Sequence, residues 1–517
     1  MTLTAPAPIE GGPAQPGVLT NPVVPGFHPD PSVCRVDGTY YLACSTFEFL
    51  PGIPLFRSDD LVTWTPVGHV VTRAEQLDVR DVPTAGGAWA PTIRHHDGRF
   101  HVVVTDAMGR GNLLFTADDP AGEWSDGTVV EGIDGIDPDL AWDADGTCYL
   151  TYSGLLLGEA AEGGVRHLGI QQVRFDVATG RALEEPRSLW SGTGGIFPEA
   201  PHLYEVDGTW YLLVAEGGTE RGHAVSIARG PTPEGPFEDC PANPLLTARG
   251  TDRPVQNTGH ADLFQTPDGG WAMVLLGVRP RGMVRSFSPM GRETFATRLR
   301  WEDGWPVVEP VELGPQRPPV RVVDDFDGTG LDLPWVSVRR PATEFSTLTA
   351  RPGWLVLHGD GSTMDDPRPV FVGRRQQHEV TEVTAVVDAS AGVGGLSVRI
   401  DEDNHVDLEI DGDVVRARAV LARVAQTWQV PAPAGPVTLR LETVPPAEGF
   451  SLRAITCDLV RLSVDTPTGR VDVAEVDGRG MTAETAGSFT GRVVGVYATT
   501  GTVAVDRISY QGQDRDR

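Results

Sequence analysis

The chain contains no lysine; all 42 of its basic residues are arginine. That absence excludes Schiff-base catalysis and a phosphate loop built around a lysine. Acidic residues number 71 and the formal net charge is −29. The basic face that nucleic acid or an anionic membrane demands is therefore missing. Cysteine is scarce as well. Cys34, Cys44, Cys148, Cys240 and Cys457 are scattered, with no CxxC pair, which points to free thiols rather than a disulfide framework or a zinc site. No run approaches the ~20 apolar residues of a membrane span. The opening MTLTAPAPIEGGPAQPG has neither the basic nor the apolar segment of a secretory leader. The expectation is a cytoplasmic protein whose substrate is neutral or is held by a few arginines.

Long helical patterns are also lacking. In their place, short runs of aromatic and β-branched residues lie between clusters drawn from 61 glycines, 43 prolines and many aspartates, a composition typical of all-β proteins. At 517 residues the chain is too long for one core, so two or three domains are expected. Five segments share one pattern: DGTYYLACS, DGRFHVVVT, DGTCYLTYS, DGTWYLLVA and DGGWAMVLL, beginning at Asp37, Asp97, Asp145, Asp207 and Asp268. Each is an Asp-Gly turn leading into a strand, a strong hairpin signal. Their spacing of 48–62 residues suits a four-stranded propeller blade with generous loops. One such turn means little; five with matching strands predict a five-bladed β-propeller.

The strand before each turn carries the chemistry. Those segments read HPDPSVCRV, WAPTIRHH, IDPDLAWDA, PEAPHLYEV and GHADLFQTP. Counted back from the turn aspartates, Asp30 lies at seven, and Trp89, Asp137, Glu199 and His260 each lie at eight. Equivalent positions in successive blades face the central axis, so this register gathers three carboxylates and a histidine at one pocket with Trp89 as an aromatic wall. Taken singly, Asp30 and Asp137 read as the start of Asp-Pro turns; His260 reads equally well as a neutral core imidazole. The shared register favours function for the acids. Like charges packed together raise one another's pKa, and separate environments can then make one an acid and another a base. Glycoside hydrolysis requires such a pair, with carboxyls roughly 6.5–9.5 Å apart when a water must fit between base and sugar.

At this point the sequence resembles glycoside hydrolase family 43. The resemblance rests on NPVVPGFHPDPSVCR, GGAWAPTIRHHDG, GIDPDL, PEAPHLY, AEGGTERGHAVSIARG, NTGHADLFQTPDG and MGRETF, in order over roughly residues 21–310. The members it is most similar to are β-xylosidases and α-L-arabinofuranosidases with a C-terminal sandwich. The resemblance implies Asp30 as general base, Glu199 as general acid, and Asp137 as the residue that orients Glu199 and holds its pKa up. It implies that Arg292 binds sugar hydroxyls and steadies Asp137, that Trp89, Phe47 and Ile136 line the sugar subsite with His28 beside them, and that no cofactor is required. Beside His260 it implies a structural calcium near the axis, held through waters. Ile136 stands where an aromatic is commoner and Ala200 where glycine is frequent.

After EPVELGPQRPPVRVVDDFDG the repeat stops and alternating strands such as EVTAVVDAS, GLSVRID and RVVGVYATT begin, typical of a β-sandwich. DDFDG and FVGRRQQH resemble the concanavalin-like domain often fused to these hydrolases. The expected organisation is a flexible extension over 1–20, a propeller over 21–310, a linker over 311–323, a sandwich over 324–512 and a mobile tail over 513–517. The segment expected to reach toward the pocket, YATTGTVAVDRISY, is short and carries no aromatic-rich acidic loop, so a purely structural or oligomerising sandwich is an equal expectation. DEDNHVDLEIDGD, 401–413, lacks calcium-loop spacing and reads as an exposed hairpin. The function expected is an exo-acting, inverting hydrolase releasing a terminal pentose, most readily β-D-xylose, from small oligosaccharides. α-L-Arabinofuranoside cleavage is the sister alternative, a non-catalytic sugar-binding propeller is the alternative of another class, and a homo-oligomer is compatible with either.

Overall fold

Three of the five Asp-Gly pairs, Asp37-Gly38, Asp97-Gly98 and Asp207-Gly208, form two-residue turns with both residues at positive φ. This is the hairpin geometry whose twist matches the flanking strands. The other two open into longer loops, because Trp142 pairs with Cys148 and Gln265 with Trp271. These turns belong to a computed structural model that describes residues 19–158, 164–282, 285–446 and 455–515; most of the 1–20 extension lies outside them.

Each turn joins the two innermost strands of a four- or five-stranded antiparallel sheet. The innermost strands are Ser32–Val36, Gly87–His96, Gly135–Trp142, Glu199–Val206 and Gln256–Gln265. There are five such sheets, the blades of a propeller. The ring is closed from the N-terminal side. Val24 bridges Thr294, and the Asn21 side chain exchanges hydrogen bonds of 2.8 Å with both the N–H and the carbonyl of Ala296 in blade five. All five cysteines are buried and unpaired. No described helix is long and apolar enough to cross a membrane.

The sandwich follows almost without a gap. Val311 is already packed into the core of the last two blades, and strand Val320–Asp324 pairs with the final strand, so the 311–323 segment is anchored at both ends. Two long strands, Val380–Asp401 and Val493–Gln513, run antiparallel through register shifts and serve most of the domain. Residues 380–389 alternate half-buried and buried, the period of two that a strand with one core face requires. Leu355, Leu396, Val406, Leu439, Val496 and Val505 are among the residues of the core they cover. Gln513 ends the last strand, and Asp514 pairs with Arg279 at 2.9 Å and accepts from the Glu379 N–H; residues 516–517 of the expected tail lie outside the described residues. The 401–413 segment is a hairpin, but a buried one, with His405 held between Asp407 (2.8 Å) and Asp365 (3.0 Å).

The two domains share a sheet. Strand Phe49–Leu50 of blade one pairs with Val336–Val338 of the sandwich. Arg339, fully buried, donates to the carbonyls of Val82 (2.9 Å) and Pro367 (2.6 Å) and to Thr84 (3.1 Å). An arginine fork can satisfy several buried acceptors at once. This seam lies directly behind Phe47 and sets where the sandwich can reach.

Candidate active site

The axial positions share one backbone feature. Asp30, Ala90, Asp137, Ala200 and His260 all adopt positive φ, 45–55°. In blades two to five they lie where the inner-strand register slips. The blades therefore align on Asp30, Ala90, Asp137, Ala200 and His260, so Trp89 and Glu199 stand one residue earlier than the equivalent position. The count from the turn misplaced them because loops of different length follow the strands in blades three and five. A slip of one residue normally turns a side chain to the opposite face. At this left-handed kink the chain bends, and both Asp137 and Glu199 influence the same pocket.

Asp30, 5% exposed, is held on three sides. Ser45 Oγ donates to Oδ2 at 2.6 Å, Arg292 Nη1 donates to Oδ1 at 3.1 Å, and His260 Nδ1 stands 3.6 Å from Oδ1. Burial alone would push this carboxyl up, yet Arg292, His260 and the Ser45 hydroxyl together hold it below the usual aspartate value. It is ionised at neutral pH, as a base must be. Asp137 is the opposite case: burial, then the nearby Asp30 charge, push it up to about 7. Its Oδ2 accepts from the Ala200 N–H at 3.1 Å, which ties it to the residue after Glu199. Glu199 is raised well above an ordinary glutamate, by burial first and then by Asp137 and Asp30. The result is one ionised carboxylate and one carboxylic acid in the same pocket, the pairing that general acid–base catalysis needs.

The other expected residues divide. Arg292 reaches the site, but its bonds go to Asp30 and Thr219 (3.0 Å) rather than to Asp137. Trp89 is half-buried, its indole N–H donating to the Ala85 carbonyl at 2.6 Å; Ala85 in turn donates to Glu48 at 3.1 Å. Phe47 is buried beneath the Arg292 guanidinium, 5.6 Å from the ring centroid. Ile136 is half-buried beside Asp137. His28 does not join the acids: its Nδ1 lies 3.1 Å from the Pro25 carbonyl and its ring stands edge-on to Phe56, so it is a packing residue. His260 lies at the axis, where burial pushes its imidazole down to about 4 and keeps it neutral. Among the described residues no group of three His, Cys, Asp or Glu could hold a metal ion. The donor set at His260 thus does not fit a directly ligated calcium.

The sandwich supplies a wall that the sequence reading did not find. Phe489, half-buried, stands edge-on to Trp89 with centroids 5.8 Å apart and 6.0 Å from Phe47. The Arg292 guanidinium lies 5.0 Å from the Phe489 centroid, and its Nε donates to the Phe489 carbonyl. The approach depends on Gly291, at φ +68°. A Cβ there would sit 2.6 Å from the Thr490 carbonyl oxygen, closer than any side chain allows. The segment responsible precedes the final strand, whereas the sequence reading looked for it within that strand. Ser45, which holds Asp30, and Thr219, which holds Arg292, were also missed. Neither is a carboxylate; a hydroxyl does recur at the place of Ser45 in blades two and three, as Thr105 and Ser153, but it reads in sequence as an ordinary strand residue.

A five-bladed propeller that brings one carboxyl held low and two carboxyls held high under one another's influence suits a glycoside hydrolase. The family description "Glycosyl hydrolases family 43" matches residues 19–306, and "Beta xylosidase C-terminal Concanavalin A-like domain" matches 323–510. The chain is 37% identical over 511 residues to "Non-reducing end alpha-L-arabinofuranosidase BoGH43B" of Bacteroides ovatus, covering 93% of this chain and 91% of the relative. It is 35% identical over 400 residues to "Beta-xylosidase" of Bacillus subtilis, covering 72% and 74%. The solved structure "Bacteroides ovatus Xyloglucan PUL GH43B" superimposes with a TM-score of 0.84 at 34% identity, covering 95% of this chain and 99% of that one. The chain belongs to glycoside hydrolase family 43 and is an inverting O-glycoside hydrolase.

Proposed function

We propose that this hydrolase removes one pentose at a time from the non-reducing end of short oligosaccharides, with β-D-xylose as the main product. The observation that carries the reading is the wall made by Phe489. An aromatic from the second domain standing over Trp89 and Phe47 favours the end of a sugar chain over its middle. Asp30 takes a proton from water as the water oxygen bonds the anomeric carbon. Glu199 gives its proton to the glycosidic oxygen as that bond breaks, and the anomeric configuration inverts. Asp137 keeps Glu199 protonated and aimed. Arg292 holds Asp30 ionised and offers its remaining N–H groups to sugar hydroxyls. The reading assigns no step to calcium, because among the described residues no group of three possible ligands includes His260.

A second reading, α-L-arabinofuranoside cleavage, is favoured by the Bacteroides relative, which is named for that activity and matches nearly the whole chain. The same trio serves either sugar, because the walls rather than the acids choose it. Comparing kcat/KM on an aryl β-D-xyloside and an aryl α-L-arabinofuranoside decides. A higher value on the xyloside supports the first reading, a higher value on the arabinofuranoside the second, and turnover of neither refutes both. Five buried, unpaired cysteines favour action in a reducing compartment, on fragments already taken into the cytoplasm. Fractionation of producing cells tests that location.

A further inference from the structure

Below the acids lies a second ring. Two residues past the kinked axial positions stand Ser32, Thr92, Asp139, His202 and Asp262, each 4% exposed or less. Into this ring, from blade two, reaches Arg94. Its Nη2 lies 2.8 Å from Asp139 Oδ1 and 2.9 Å from His202 Nδ1; its Nη1 lies 2.7 Å from Asp262 Oδ2 and donates to Ser32 Oγ at 3.1 Å. One guanidinium thus touches the inner strands of the other four blades.

The two carboxylates pass the connection on. Asp262 accepts from Ser32 Oγ (2.7 Å), the Val33 N–H (3.0 Å) and Tyr204 Oη (2.5 Å); Asp139 accepts from the Leu203 N–H at 3.0 Å. Ser32 is two residues from Asp30, Asp139 two from Asp137, and Leu203 four from Glu199. Two fully buried carboxylates converging on one axis need a cation between them. A guanidinium suits the place: it is always charged, and its planar fork can serve two carboxylates and a hydroxyl together.

We propose that Arg94 is a built-in axial cation. It is a positioning residue that fixes the separation of Asp30, Asp137 and Glu199 from the layer beneath, where it supplies the positive charge that Asp139 and Asp262 need without a metal ion. It touches no reacting atom. It acts by locking the five strands that carry the pocket.

The test uses the full chain and the Arg94→Ala variant, assayed on whichever aryl pentoside the unaltered protein turns over. Chelator treatment should leave unaltered kcat and KM unchanged. Arg94→Ala should lose about 100-fold or more in kcat with KM little changed, since sub-ångström displacement of catalytic groups costs rate before binding. Millimolar guanidinium or calcium should restore part of that loss in the variant and do nothing for the unaltered protein. Each cation should also raise the melting temperature of the variant alone. This arm reads Arg94 even if the pentoside reading fails, because it needs no substrate. Should Arg94→Ala not fold, Arg94→Lys keeps the charge without the fork and should show a smaller kcat loss at unchanged KM. Full kcat in Arg94→Ala, a loss that neither cation relieves in rate or melting temperature, equal kcat and KM effects in Arg94→Lys, or chelator-sensitive unaltered enzyme would overturn the proposal.

Discussion

The Ala200 N–H donates to Asp137 Oδ2 at 3.1 Å, so Asp137 grips the residue that immediately follows Glu199. The orienting carboxylate and the acid are therefore linked through one peptide unit, and their charges repel. Asp137 thus bears on both the position and the pKa of Glu199, with burial the larger cause of the raised pKa. Asp137→Asn removes one negative charge that raises Glu199, so the Glu199 pKa should fall. The alkaline limb of the kcat/KM profile should move to lower pH, with a kcat loss of about 100-fold or more. An alkaline limb that stays in place would assign it to another group.

Asp30 is controlled from the other side. The Ser45 hydroxyl lowers its pKa and also accepts the Ala90 N–H at 2.7 Å. Ser45→Ala should raise the Asp30 pKa and move the acid limb of kcat/KM to higher pH, with about a 10-fold loss of kcat at the optimum. A pH-rate series on the variant reads both. An acid limb that does not move would place the base elsewhere.

Replacing the acid itself separates substrates by leaving group. Glu199→Gln should cripple cleavage of xylobiose yet retain much of the activity on an aryl glycoside whose leaving group needs little protonation. Steady-state kinetics on the two substrates measure the contrast. Equal losses would contradict the assignment of Glu199.

How much of this was legible beforehand follows from which features repeat. The five Asp-Gly turns and the carboxylates ahead of them recur along the chain, and the propeller and its trio could be read from that recurrence. The one-residue offset of Glu199 could not, because it depends on loops of unequal length after Trp142 and Gln265 and on a kink that no residue type announces: alanine occupies it twice. Arg94 sits in the quoted WAPTIRHH segment, four residues past its kink, but a lone arginine gives no sign of facing inward. Phe489 and Arg292 meet across 197 residues of sequence, and Ser45, although only 15 residues from Asp30, gives no sign that its hydroxyl turns inward.

The wall of the sugar site gives a prediction that separates the domains. Phe489→Ala removes an edge-on contact with Trp89 and the face under Arg292. With that wall removed the end of the sugar loses a contact face, so kcat/KM should fall, mostly through KM. The melting temperature should fall by only a few degrees, because Phe489 is half-buried and packs against the edge of the cluster shared by the two domains, an aromatic contact worth about 0.5–1.5 kcal/mol. A variant with unaltered KM would return the sandwich to a purely structural role.

The central claim is that Asp30 directs water to one face of the sugar while Glu199 releases the leaving group from the other. Proton NMR of the first product formed from an aryl β-D-xyloside, recorded before mutarotation, tests it most directly. The α-anomer of xylose should appear first, with the β-anomer growing in only as solution equilibrium is reached. β-Xylose as the initial product would mean that a carboxylate attacks the sugar itself, and the roles assigned to Asp30 and Glu199 would be wrong.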